Sequence, residues 1–420
     1  MSRHRKIEFE EVAPQSAPQE PAPMTPEEEA LRKAQLEAEA AAQAERVEKA
    51  RKERENAFRY KGTPTPLLEE LRPRLQMGPI PVNDFMQQAL AHPKHGYYMQ
   101  RDVFGTKGDF VTAPEVSQLF GELIGIWVVW VWEALGSPKK VQLVELGPGR
   151  GTMMADALRA IGKFRPLVGG LSVEMVETSP ALREVQRKKL SKGSAAGSSE
   201  VRHDGTGIMV RWRDTLGDVP LNKDVPCIML AQEFLDCMPV KQFQYTDLGW
   251  CERMVELDPT KEGPHHLRYA LTRGPTPHSQ VLLNQEIIPG IPTSPEINAG
   301  VEVSPDALQS AQEIGRRVSI SGGAALIIDY GNNGPSVDSI QALKKHKKVH
   351  IFESPGESDV TAHVDFSAIK KAALDGSTVD ASMAAAAAAL AAAGSSEKGD
   401  AKGNKESPRQ AAMRGGEEGK

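Results

Sequence analysis

Cysteine is scarce in this chain. Cys227, Cys237 and Cys251 are the whole complement among 420 residues. An odd, sparse set builds no secreted disulfide framework, so reduced thiols in an intracellular compartment are expected. None of the three is spaced with a histidine pair as a zinc site requires, and no metal is expected. An excess of basic charge is also missing: 51 Lys and Arg face 56 Asp and Glu, for a formal net charge of -5. Nothing global therefore points to nucleic acid or to an anionic membrane surface. Long apolar runs are absent too. The best candidate, LIGIWVVWVW from Leu123 to Trp132, is bounded by Glu122 and Glu133 and falls short of the roughly 18 residues a bilayer span needs. It reads as a fully buried helix, and no membrane insertion is expected. The start, MSRHRKIEFEEV, mixes basic residues with Glu8, Glu10 and Glu11, whereas transit peptides avoid acids.

What is present divides into three parts. Residues 1–59 are rich in Pro, Ala and charge and read as a disordered, partly helical tail with hardly any apolar face. Residues 376–420 are Ala-, Gly-, Ser- and Lys-rich and read as a second low-complexity tail. Between them, residues 60–375 carry the pattern of a folded domain. Apolar strands (VQLVEL, LSVEMVE, VPCIMLAQEFL, GGAALIIDYG) alternate with amphipathic helices (MADALRAIG, ALREVQRKKL, VSPDALQSAQEIGRRV). That alternation predicts an α/β fold, a doubly wound and mainly parallel sheet. KQFQYTDLGWCERMVEL and LRYALTR read as a β-rich insert. In such sheets ligands bind beyond the carboxyl ends of the strands.

One strand-to-helix junction, VELGPGRGTMMADALRA, is rich in glycine. A P-loop would need lysine before Thr152, and there is none. A dinucleotide turn would need a third small residue where Thr152 stands. The spacing Glu145, Gly147, Gly149, Gly151 suits S-adenosylmethionine instead. That molecule has no pyrophosphate, but it carries an ammonium and a sulfonium that favour an acid at the strand end. Glycines let the backbone approach its amino-acid and ribose moieties. The ribose hydroxyls then call for a carboxylate at the end of the next strand, where Glu177 stands.

Six stretches, taken in order, carry a wider likeness: GPIPVNDFMQQALAHPKHGYYM, GDFVTAPEVSQLFGELIGIW, LVELGPGRGTMMADALR, AQEFLDCMPVKQF, ALIIDYG and ESPGESDVTAHVDF. With them the chain resembles the MidA-like family of S-adenosylmethionine-dependent protein arginine methyltransferases. The resemblance implies a Rossmann-like core with an N-terminal helical segment and a β-rich insert. It implies symmetric dimethylation of an arginine on a core subunit of respiratory complex I, a mitochondrial location, and a role in complex I assembly. It leaves room for a homodimer. The family pattern continues with further helices and strands, whereas here it gives way to the Ala-rich tail near Asp375. A sheet edge and a core face are expected to be uncovered there.

The resemblance also sharpens the residue roles. Gly108, Asp109 and Phe110, followed by Thr112, Pro114 and Glu115, look like a loop closing over the cofactor, with Pro114 in the first turn of a helix. Arginine methylation needs carboxylates, because a guanidinium is protonated and must be oriented and relieved of a proton. Glu233 is the first candidate, Asp236 the second, and Asp329 a third at the same sheet edge. The family usually has Asn where this chain has Gln232, so the amide there must sit differently. His363 and Asp365 rank lower as substrate-site residues. His92 and His95 are expected to bond within the N-terminal segment, and Trp127, Trp130 and Trp132 to pack in the core. Two other readings stay open beside this one: a non-catalytic S-adenosylmethionine-binding assembly factor, and a methyltransferase with another substrate.

Overall fold

The computed structural model describes residues 63–100, 112–259 and 264–375. The two expected tails, and Gly108, Asp109 and Phe110, lie outside the described residues. The described chain opens with α1 (Pro66–Met77), capped by Thr65, whose hydroxyl accepts from the Leu68 amide at 3.3 Å. Pro66 fits the first turn because no amide hydrogen is needed there. Leu67, Leu68, Leu71 and Leu75 turn one apolar stripe inward, and α2 (Val82–Ala91) does the same with Phe85, Met86, Ala89 and Leu90. Next comes α3 (Gln118–Ala134).

The central sheet follows: β1 (Val141–Leu146), α4 (Thr152–Ile161), β2 (Leu171–Val176), α5 (Pro180–Leu190), β3 (Glu200–Arg202), β4 (Met209–Arg213) and β5 (Cys227–Gln232). The chain then leaves this sheet for the insert, made of β6 (Lys241–Thr246), β7 (Gly249–Leu257), β8 (Leu267–Pro275) and β9 (Gly300–Val303), all paired antiparallel. Ile80 and Pro81, between α1 and α2, pair with β7 and tie the N-terminal helices to the insert. The chain returns through α6 (Pro305–Ser321) and β10 (Gly323–Ile328) to the central sheet, which runs β10-β5-β1-β2-β4-β3. Every pair in it is parallel except β3 with β4. A small antiparallel sheet, β11 (Gln341–Lys344), β12 (Lys347–Val349) and β13 (Asp359–Thr361), precedes α7 (Phe366–Leu374). This is the mainly parallel sheet that the alternating pattern predicts and the Rossmann-like core that the resemblance implies.

Two elements differ from expectation in burial. The apolar run in α3 is not fully buried: Ile124, Val128, Val131 and Trp132 face the core, but Leu119, Leu123, Ile126 and Trp130 are exposed, Trp130 by 64%. The reason is one-sided packing. Gly121 and Gly125 let α3 approach α4 so closely that a Cβ at either would lie 2.6 Å from Asp156 or Ala157 atoms, and the far face is left open. Strand β10 is half-buried rather than buried, because it is an edge strand paired on one side with β5. Among the described residues, no helix is long and apolar enough to cross a membrane.

Candidate active site

The register of the parallel sheet lines up the strand ends. Leu146 pairs with Val176, Gln142–Leu146 with Cys227–Ala231, and Ile328 with Gln232. The next residue along each strand is therefore Gly147, Glu177, Glu233 or Asp329. Four strand ends, the first two from one strand–helix–strand unit and the others, at Glu233 and Asp329, further on, thus deliver their functional candidates to one edge, where a cavity of about 590 Å³ opens. The glycine turn, Glu177, Glu233 and Asp236 line it, together with Tyr98 and Asp359.

The glycine turn forms one half. Gly147, Gly149 and Gly151 all adopt the left-handed region, with φ of 60°, 52° and 74°, a conformation open to glycine at little cost. A Cβ on Gly147 would strike the Phe234 ring at 2.7 Å, so this position excludes any side chain. Glu145 is buried in β1, its Oε2 has no hydrogen-bond partner, and burial together with the nearby Glu177 charge pushes its carboxyl up to about 8. Glu177 is buried as well. Its Oε1 accepts from the Ser179 amide at 2.8 Å and its Oε2 from the Gln186 side chain at 3.1 Å. Burial raises its pKa against these bonds. An orphaned carboxylate oxygen, a second carboxylate at the next strand end and a left-handed glycine turn with no room for a Cβ at Gly147 match the ammonium, ribose and close backbone approach of S-adenosylmethionine.

Thr112, Pro114 and Glu115 line this half too. Pro114 sits in the first turn of a short helix, Ala113–Val116, as expected; Thr112 is its N-cap but makes no side-chain capping bond. Glu115 instead braces the glycine turn: it accepts from Arg150 at 3.1 Å and from the Thr152 hydroxyl. Gly151 is not among the lining residues; it packs on Gln186, whose Cγ would lie 3.2 Å from an added Cβ.

The other half is acidic. Glu233 has a φ of 47°, strained for a non-glycine residue and of the kind that gathers at functional sites. Burial raises its pKa, while the Ala113 amide and the Gln232 side chain donate to it and oppose the rise. Gln232, in the place of the family's Asn, thus turns its amide to Glu233. Asp236 rises well above the usual carboxylate range through burial and the charges of Asp329, Asp359 and Glu233. Asp329 has a different setting. Its Oδ2 accepts from the amides of Phe234, Leu235 and Asp236 at 3.1, 2.8 and 3.3 Å, its Oδ1 from Tyr330 at 2.8 Å, and it does not line the cavity. It anchors the loop that carries Glu233 and Asp236.

His363 is exposed and away from the cavity, and Asp365 caps α7. His92 and His95 pair with Glu70 at 3.6 and 3.0 Å. Three residues at the site escape sequence reasoning. Asp359 is buried and accepts a 2.6 Å hydrogen bond from the Tyr98 hydroxyl. Tyr98 in turn offers its carbonyl to the Ser179 hydroxyl at 2.8 Å. Gln186 is wholly buried on α5. Its signal was available: it occupies the middle of Leu182, Gln186, Leu190, the i, i+4, i+8 stripe that faces inward, where an amide needs a reason to be.

Comparison with known proteins agrees with this geometry. A family profile described as S-adenosyl-L-methionine-dependent methyltransferase matches residues 123–383. The chain is 39% identical over 307 residues to the zebrafish (Danio rerio) protein arginine methyltransferase NDUFAF7, mitochondrial, covering 71% of this chain and 69% of the relative. It is 39% identical over 319 residues to the human protein of the same name, covering 74% and 69%. The expected mitochondrial location agrees with those names. A solved structure of a COG1565 superfamily member from Burkholderia thailandensis, bound to S-adenosyl-homocysteine, superposes with a TM-score of 0.59 at 26% identity, over 76% of this chain and 80% of that one. The chain uses S-adenosylmethionine and belongs to the MidA-like family of S-adenosylmethionine-dependent methyltransferases.

Proposed function

We propose that this methyltransferase acts on the guanidinium of an arginine presented by another protein. The observation that carries this reading is the charge of the cavity's far half. Glu233, Asp236 and Asp359 line it, and the one basic side chain among the described lining residues, Arg150, pairs with Glu115 beside the glycine turn. Burial first, and then the charges of Asp329, Asp359 and Glu233, hold the Asp236 carboxyl above the usual carboxylate range, so this half resists carrying all its negative charges uncompensated. A planar cation compensates them, and a guanidinium fork matches carboxylates better than a point charge does.

S-adenosylmethionine supplies an already activated methyl group. The protein's work is therefore mainly orientation, exclusion of water and proton management. Gly147 and Gly149 admit the cofactor to the backbone, Glu145 holds its ammonium and Glu177 its ribose hydroxyls. Glu233 orients the target nitrogen and accepts its proton on Oε. Asp236 assists from the same loop, held in place by Asp329. The relatives named protein arginine methyltransferase support the substrate class. Symmetric dimethylation, a core complex I subunit as target and a part in complex I assembly come with the family resemblance and belong to the same proposal.

The test is direct. Mitochondrial complex I subunits from cells lacking this protein are incubated with the purified chain and isotope-labelled S-adenosylmethionine. Fragment-ion mass spectrometry then separates monomethyl, symmetric and asymmetric dimethylarginine. Label on arginine supports the reading. Label on another residue type, or on no protein while the cofactor binds, overturns it.

A further inference from the structure

Gln186 is spent entirely on the cofactor half of the cavity. Its Nε2 donates to the Gly149 carbonyl at 2.6 Å and to Glu177 Oε2 at 3.1 Å, and its Oε1 accepts from the Trp212 indole at 2.7 Å. A side-chain amide has two donor hydrogens and one carbonyl, and all are used. The orientation is fixed by chemistry, since an indole only donates and a backbone carbonyl only accepts. Its Cγ also backs Gly151. One buried side chain therefore holds the glycine turn at two points and the strand-end carboxylate at a third.

We propose that Gln186 is the positioning residue of the cofactor site. It fixes the Gly149 carbonyl and the Glu177 carboxylate together, so the cradle has its bound shape before the cofactor arrives. Preorganisation of this kind saves the ordering cost on binding. Gln186 is not among the cavity-lining residues and acts through Gly149 and Glu177, which are. The inference rests on the assignment of Gly149 and Glu177 to the cradle. The charged groups around it are Glu177 and Glu145 from the strand ends, and Arg183 and Arg187 of α5. Arg183 donates to the Glu177 carbonyl at 2.7 Å, and the Arg187 guanidinium lies 5.5 Å from the Trp212 ring centre.

Two substitutions separate positioning from packing. Gln186→Glu keeps an acceptor for Trp212 but, when ionised, turns lone pairs toward Glu177 and the Gly149 carbonyl. Gln186→Met keeps the volume and leaves all three partners unsatisfied. S-adenosyl-homocysteine is titrated calorimetrically into the full chain, wild type, Glu177→Gln and both Gln186 variants, from pH 6 to 9. The Trp212 indole resonance reports the local fold. Glu177→Gln should bind weakly at every pH. Gln186→Glu should bind roughly 10–100-fold more weakly than wild type at pH 8.5 and regain part of that at pH 6, where a protonated carboxyl restores one of the two donated bonds. Gln186→Met should lose a similar factor at every pH. Wild-type affinity in both Gln186 variants, or equal losses with no pH recovery in Gln186→Glu, overturns the positioning role. If Gln186→Glu fails to fold, Gln186→Met decides alone, and wild-type affinity there overturns the proposal. Wild-type affinity in Glu177→Gln means that the cradle assignment itself is wrong, and the inference falls with it.

Discussion

The two halves of the cavity are built by opposite means. The cofactor half comes mainly from one stretch, residues 145–186, in which strand, glycine turn, helices, strand and helix follow in order, with Thr112, Pro114 and Glu115 braced against the turn. The acidic half collects Tyr98, Glu233, Asp236 and Asp359 from segments that meet only in the folded chain. In the first, local geometry does the work: three left-handed glycines and an inward helix stripe. In the second, sheet register and a loop anchored by Asp329 do it. A local site fails when one backbone position is blocked. An assembled site should lose chemistry residue by residue while still holding its cofactor.

Glu233→Gln gives the sharpest contrast. It preserves size but turns one acceptor oxygen into a donor and removes the proton acceptor, so turnover should fall roughly 10²–10⁴-fold while S-adenosyl-homocysteine affinity stays at the wild-type value. Single-turnover kinetics beside calorimetry reads both, and near-normal turnover would transfer the proton role to Asp236. Gly149→Val attacks the other half. A β-branched residue at a φ of 52° is strained and fills cofactor space, so affinity should drop at least roughly 100-fold with the fold retained by circular dichroism. Ordinary affinity would dissolve the distinction between the halves, because the turn would then not be the cradle.

The same contrast explains what could be read from the chain before folding. The strand–helix alternation, the β-insert and the glycine turn rest on patterns within a few residues of each other. Glu177 was legible because a ribose carboxylate has a fixed place one βαβ unit onward. Glu233 and Asp329 were legible as strand ends, but their division of labour was not. Asp329 spends its oxygens on four backbone amides, a fact set by loop shape. Asp359 lay in a quoted stretch yet had no local signal, since its partner Tyr98 is 261 positions away. Full burial of α3 was misread because composition gives the apolar content of a helix but not how many neighbours cover it.

Tyr98→Phe probes the link between the halves. Tyr98 joins the Ser179 hydroxyl through its carbonyl and Asp359 through its own hydroxyl, and only the second bond is removed. Asp359 should then be less well oriented, raising KM for the protein substrate roughly 5–10-fold, the size of one hydrogen bond to a charged group. The turnover number and cofactor affinity should hold. A fall in cofactor affinity would show that the halves are coupled rather than separable.

The smallest effect lies in protons. Glu145 has its pKa raised from 4.5 to about 8, so the folded, cofactor-free chain holds a proton there at neutral pH that the unfolded chain has released. The stability this contributes is full below pH 4.5 and is lost as pH rises through 8. The melting temperature of the cofactor-free chain should therefore decline from pH 6 to 9, and Glu145→Gln should flatten that decline. Binding an ammonium favours the ionised carboxylate, so cofactor binding at pH 7 should release a proton, visible as a calorimetric heat that depends on the buffer. That release should vanish in Glu145→Gln and shrink in wild type above pH 8. Equal buffer dependence in both proteins would place the ammonium elsewhere and leave Glu145 as a support of the glycine turn alone.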